Sequence, residues 1–152
     1  MKRLAGGAVL DASVGVKLVV AEAGHERARE VLERAVRAEA PMAVPEFMAL
    51  EVANALWAKA RRRQLTAALA REGLALFLRA TARFVRVPER VLATDALAIA
   101  LEYDVTAYDG CYLALARRLG LPLLSADAKL LAPSVRRGFD VVLLAELRDL
   151  DA

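Results

Sequence analysis

One cysteine and one histidine occur in 152 residues, and that scarcity removes whole classes of chemistry. With Cys111 alone, neither an internal disulfide nor a cysteine-based zinc site is available. Its neighbours Tyr112, Leu113 and Leu115 make it a small buried filler rather than a nucleophile. His25 follows Gly24 at a helix start with no partner in view, so it reads as a surface residue and a Ser-His-Asp hydrolase has no support. Long apolar runs are missing too: none approaches the roughly 18–20 residues that span a bilayer. Lys2 and Arg3 precede a short apolar stretch, the outline of a signal peptide. Asp11 interrupts that stretch and Lys17 falls inside the next one, so no signal peptide is expected. The expected compartment is the cytoplasm, with no membrane partner. There is no repeat, linker or low-complexity segment.

What the chain does hold is 58% hydrophobic and 27% charged residues, with much alanine, the balance of a compact, helix-rich soluble protein. Its length fits one domain over residues 1–152, at roughly 100–200 residues per domain, and such a domain buries enough surface to need no staple. The net charge is +3. Arginines cluster at Arg61, Arg62 and Arg63, at Arg83, Arg86 and Arg90, at Arg117 and Arg118, and at Arg136 and Arg137. Two readings fit these clusters: a footprint for RNA phosphates, or solvated helix faces and helix C-termini that favour cations.

The apolar pattern alternates between strand-like and helix-like segments. Short apolar runs predict strands at Ala8–Leu10, Pro41–Pro45, Phe84–Val87, Leu121–Ser125 and Asp140–Leu144. Helical spacing predicts helices from Ser13 to about Ala21, His25 to Ala38, Phe47 to Arg62, Thr66 to Arg83, Glu89 to Tyr103 and Thr106 to Leu119, with a helical turn at Ala128–Leu131. Thr66 is a candidate N-cap and Gly120 a C-terminal stop. Strands alternating with helices predict an α/β fold with a parallel sheet covered on both faces. Sites in such sheets lie beyond the carboxyl ends of the strands.

Four acids fall at informative places. Asp11 ends the first strand and Asp127 the fourth; each suits a helix N-cap or a cation ligand. Glu51 is the only charged residue between Phe47 and Ala58, and a carboxylate in apolar company needs a partner. Asn54, three positions on, shares its face and could orient it or a bound water. Asp109 stands three residues after Thr106, the spacing of a capping box, so helix initiation competes with a role in a site. Ser13 and Ser125, two residues from an acid of the set, suit hydrogen bonding to a carboxylate, a bound water or a phosphate, or capping of backbone. Asp95, Asp104, Asp140, Asp149 and Asp151 fall in helix starts, turns or the acidic tail, where solvent explains them. Should the four acids converge, their repulsion calls for a hard divalent cation.

Taken in order, Val9 to Val14 with Lys17, Pro45 leading to Glu51 to Leu56, Thr106 to Ala116, and Leu123 to Leu130 resemble the PIN-domain ribonucleases, specifically the VapC-type toxins of toxin–antitoxin pairs. The resemblance implies a small α/β/α sandwich on a central parallel sheet. It implies that Asp11 and Asp109 are the principal Mg²⁺ or Mn²⁺ ligands, that Glu51 and Asp127 complete the pocket, and that Ser13 and Ser125 stand beside it. It further implies hydrolysis of RNA phosphodiesters, a small cognate antitoxin protein as inhibitor, and a homodimer. Arg61, Arg62 and Arg63 would then grip substrate phosphates. Gly110 departs from the Ala or Ser common in the family after the third acid, and is expected to loosen that helical turn slightly. The N-terminus is a few residues longer than usual. Two other readings remain: a PIN-like module that binds RNA or protein without cutting, and a haloacid-dehalogenase-like phosphatase. The phosphatase chemistry needs a second acid two residues after the first, where this chain has Ser13.

Overall fold

The computed structural model describes residues 4–147; Lys2, Arg3, Asp149 and Asp151 lie outside the described residues. Five short strands, β1 (Ala8–Leu10), β2 (Met42–Pro45), β3 (Val85–Val87), β4 (Leu123–Ser125) and β5 (Val141–Leu143), form one parallel sheet in the order β3-β2-β1-β4-β5. Val9 pairs with Ala43 of β2 on one side and with Leu123 of β4 on the other. Strands β1, β2, β4 and β5 are buried throughout, which is why they read as unbroken apolar runs. The edge strand β3 carries exposed Val85 and Arg86.

Seven helices are described: α1 (Ala12–Lys17), α2 (His25–Arg37), α3 (Met48–Arg61), α4 (Ala67–Ala80), α5 (Ala93–Tyr103), α6 (Ala107–Leu119) and α7 (Pro133–Gly138). From β1 the chain steps outward to β2 and β3, then returns across β1 to β4 and β5. Right-handed crossovers, the rule for parallel strands, therefore put α1–α4 on one face and α5–α7 on the other. Packing of α1 on α3, α3 on α4, and α5 on α6 agrees with those two layers. The arrangement is the α/β/α sandwich expected from the alternation.

Local signals explain most boundaries. Thr66 accepts a hydrogen bond from the Leu69 amide at 3.1 Å, and Thr106 caps α6 in the same way from Asp109. Gly120 adopts the left-handed conformation, φ 64°, that ends α6. Three expectations need correction. The first helix stops at Lys17 rather than Ala21, because Leu18, Val19 and Val20 fold into turns, and Lys17 Nζ bonds the Ala23 carbonyl at 2.7 Å. The segment Glu89–Tyr103 divides into a 3-10 turn at Glu89–Val91 and α5. Helix α7 was not expected: six residues with one buried apolar side chain, Val135, display no period, and only Pro133 at its start marks it.

Gly110 has a role its sequence context did not reveal. It is buried where α6 crosses α5, and a Cβ there would stand 2.4 Å from the Ala96 carbonyl oxygen. The residue lets two helices approach rather than loosening one. Gly110→Ala should destabilise the fold by about 1–3 kcal/mol, the usual cost of overpacking, read as a lower urea midpoint with unchanged slope.

A candidate metal-binding acidic site

In this sheet, strand order reverses between β1 and β4. A parallel sheet opens a crevice at such a reversal, beyond the carboxyl ends of the two strands. Asp11 and Ser125 occupy those ends. The Asp11 amide extends the ladder by donating to the Leu124 carbonyl at 3.0 Å, so the side chain emerges beside β4.

Asp11 is only 6% exposed. Its Oδ2 accepts hydrogen bonds from Ser13 Oγ at 2.5 Å and from Ser125 Oγ at 2.6 Å, lengths typical of hydroxyls held by a carboxylate. The serines also receive the chain that follows: the Ala126 amide donates to Ser13 Oγ and the Asp127 amide to Ser125 Oγ. A loop of three residues is thereby tied to the first acid.

Helix α3 brings Glu51 from one side, half-buried as its apolar neighbours foretold. Its partner is Tyr112 of α6, whose hydroxyl donates to Oε2 at 2.6 Å. Tyr112 went unnoticed in sequence. The available signal was a tyrosine inside a wholly buried helix stretch, where a hydroxyl must find an acceptor. Asn54, one turn after Glu51, is exposed. Asp109 sits in the first turn of α6, where Oδ2 accepts from Thr106 Oγ1 at 2.8 Å.

Burial pushes the Asp11 carboxyl above its ordinary range; its two serine bonds oppose this and the charge of Asp109 adds to it. Glu51 is likewise raised, first by burial and then by the charges of Asp11 and Asp109, against the pull of Tyr112. Tyr112 itself is pushed far up by burial and by Glu51, so it stays a donor at neutral pH. Three acids from β1, α3 and α6 thus share one electrostatic neighbourhood. Among the described residues, the groups that lower Asp11 and Glu51 are hydroxyls and a backbone amide, not a lysine or arginine.

Asp127 is placed differently. It is half-buried, its Oδ1 accepts from the Lys129 amide at 2.8 Å to cap the following 3-10 turn, and it is not among the charges acting on Asp11 or Glu51. Among the described residues, no three Asp, Glu, His or Cys side chains stand gathered tightly enough to cage an ion as they are. The donor set of carboxylate and hydroxyl oxygens nevertheless fits a hard divalent cation by its chemistry.

Away from this pocket, His25 Nδ1 lies 2.7 Å from the Lys17 carbonyl, and burial pushes the Cys111 thiol up to about 11, as befits inert filler. Arg61, Arg62 and Arg63 are exposed at the end of α3, with Arg61 5.8 Å from the centroid of the Trp57 ring.

Residues 8–134 match the model of the PIN domain. The chain belongs to the PIN-domain family. Within it, ribonuclease VapC3 of Pyrobaculum aerophilum is 40% identical over 125 residues, covering 80% of this chain and 90% of that protein. The PIN fold recurs in the crystal structure of PAE2754 from the same organism, at 25% identity and TM-score 0.67, with 92% of each chain covered. It recurs again in the crystal structure of VapBC2 from Rickettsia felis bound to a promoter DNA fragment. That likeness, at 13% identity and TM-score 0.60 over 90% of this chain and 96% of that one, concerns fold alone. The PIN chain described here is of the VapC type.

The raised carboxyl of Asp11 has a consequence for stability. Below its unfolded value of 3.8 the group is protonated whether the chain is folded or not, and costs nothing. As pH rises through the higher folded value, ionisation in the buried site is lost stability. In EDTA, Asp11→Asn, which keeps an acceptor for both serines, should melt higher than wild type at neutral pH, and the gap should close on acidification. A gap that persists in acid would exclude this origin.

Proposed function

We propose that this protein is a cytoplasmic, divalent-metal-dependent endoribonuclease of one domain, acting as the toxin of a toxin–antitoxin pair. The observation that carries the reading is that Asp11, Glu51 and Asp109 share one electrostatic neighbourhood beside the strand reversal, where no basic side chain among the described residues lowers Asp11 or Glu51. The 40% identity to a protein named ribonuclease VapC3 supports the choice of reaction.

Asp11 and Asp109 would hold Mg²⁺ or Mn²⁺, with Glu51 and Asp127 completing the shell directly or through water. The bound cation supplies an acidified water and neutralises charge on the phosphoryl oxygens. The protein's own groups do the rest. Ser13 and Ser125 hold Asp11 in one orientation through a shared oxygen. Either Glu51 or Asp127 takes the proton of the attacking water. Arg61 follows Glu51 by ten residues, about 15 Å along α3 at 1.5 Å per residue, so the three arginines would engage phosphates several nucleotides from the cut.

Two partners belong to the same reading. Leu50 and Trp57, seven positions apart on α3, stand 73% and 59% exposed, two apolar contacts suited to an antitoxin segment. Leu97 and Leu101 are exposed on α5 and suited to a second copy of the chain.

Cleavage of structured RNA should require Mg²⁺ or Mn²⁺ and stop in EDTA. Asp11→Asn and Asp109→Asn should each lose at least about 100-fold in rate, since even a neighbour of a metal ligand is worth about 10–100-fold. Undiminished activity in both variants would sink the mechanism. Replacing Arg61, Arg62 and Arg63 together by Gln should weaken RNA binding and flatten its salt dependence, by about 0.7 in log–log slope for each phosphate no longer engaged. An unchanged slope would move the phosphate grip elsewhere.

A further inference from the structure

Each of the three acids in this electrostatic neighbourhood has one oxygen tied by a hydroxyl. Ser13 and Ser125 take Oδ2 of Asp11, Thr106 takes Oδ2 of Asp109, and Tyr112 takes Oε2 of Glu51. The first three donors are close neighbours of their acids or sit on the adjoining strand end. Tyr112 is different: it is 1% exposed, lies 61 residues from Glu51 in sequence, and belongs to the opposite helical layer.

Its ring is held as firmly as its hydroxyl. Phe47 meets Tyr112 edge-on, centroids 5.6 Å apart at 77°, and meets Tyr108 at 5.6 Å and 74°. Phe47 stands one helical turn before Glu51, whose amide donates to the Phe47 carbonyl. Tyr112 therefore grips the start of α3 at two points, its ring against Phe47 and its oxygen on Glu51. An unheld glutamate samples many rotamers and loses that freedom when it binds an ion. Here the freedom is lost on folding, and the opposite oxygen, Oε1, has no hydrogen bond among the described residues.

We propose that Tyr112 is a positioning residue for the divalent cation: it fixes Glu51 so that Oε1 faces the pocket and Glu51 ligates through that one oxygen. The inference rests on the metal-dependent reading above and adds to it a residue outside the acid set. A purely structural tyrosine would need only some buried acceptor; a positioning tyrosine must matter to the ion.

The decisive variant is Tyr112→Phe, which removes the hydroxyl and keeps the ring against Phe47. Mn²⁺ binding, read by electron paramagnetic resonance of the free ion, should weaken about 10–100-fold, the range for groups that orient a metal ligand. In a Glu51→Gln background the same change should cause no further loss, because the two residues act as a unit. Wild-type Mn²⁺ affinity in Tyr112→Phe would overturn the proposal while leaving the nuclease reading intact. A wild-type protein that neither binds Mn²⁺ nor cuts RNA would overturn both. Should Tyr112→Phe fail to fold, ¹³C-tyrosine resonances of the wild type decide. The chain has three tyrosines, so Tyr103→Phe and Tyr108→Phe identify the Tyr112 signal. That signal should move with Mg²⁺ and saturate with binding; a stationary signal at saturating Mg²⁺ would overturn the proposal.

Discussion

Pairing of β1 with β4 is the interaction on which both fold and pocket depend. These strands come from opposite ends of the chain, and their parallel register sets Leu10 against Leu124. One residue further, the Asp11 amide still finds a strand partner in the Leu124 carbonyl. That last ladder bond places the Asp11 carboxylate between Ser13 and Ser125, the latter 114 residues away. Because the chain leaves β1 toward β2 and reaches β4 from the other face, no helix crosses over this point. Such a reversal opens a crevice, and α3 brings Glu51 and α6 brings Asp109 within electrostatic reach of Asp11.

Electrostatic tension is built into that crevice. Burial alone would favour neutral carboxyls, and the charge of Asp109 raises the cost of ionising Asp11 and, together with that of Asp11, the cost of ionising Glu51. Hydroxyls reduce that cost without removing the charge, as a lysine or arginine would do by pairing with it. The result is an acidic site held in shape by hydroxyls. Capping and site geometry also prove compatible. Thr106 accepts the Asp109 amide and donates to the Asp109 carboxylate, so one threonine starts α6 and aims its acid. Asp127 caps a turn while its own amide is anchored to Ser125. Starting α6 thus does not remove Asp109 from the electrostatic neighbourhood of Asp11 and Glu51.

Much of this was legible in the chain itself. Buried strands show as unbroken apolar runs because parallel strands are covered on both faces, and Thr66, Thr106 and Gly120 mark helix ends by local chemistry that needs no distant partner. Glu51 announced itself as a lone charge in an apolar helix. Helix α7 was illegible because six residues are too few for a period. The reason for Gly110 was illegible because a glycine's neighbour across a helix crossing, here the Ala96 carbonyl, leaves no trace beside it in sequence.

The order of strands and helices, their caps, the apolar layers and the candidate acids were therefore decided by the sequence alone, since each rests on residues within a few positions of one another. Which acids meet was decided only by tertiary structure. Strand order and crossover hand carry Asp11, Glu51 and Asp109 into one neighbourhood and leave Asp127 attached through Ser125. The same packing gives Glu51 to Tyr112 rather than to Asn54, its neighbour on the helix. Hydrogen bonds across dozens of residues depend on register and helix rotation to within an ångström, and local composition does not encode that geometry.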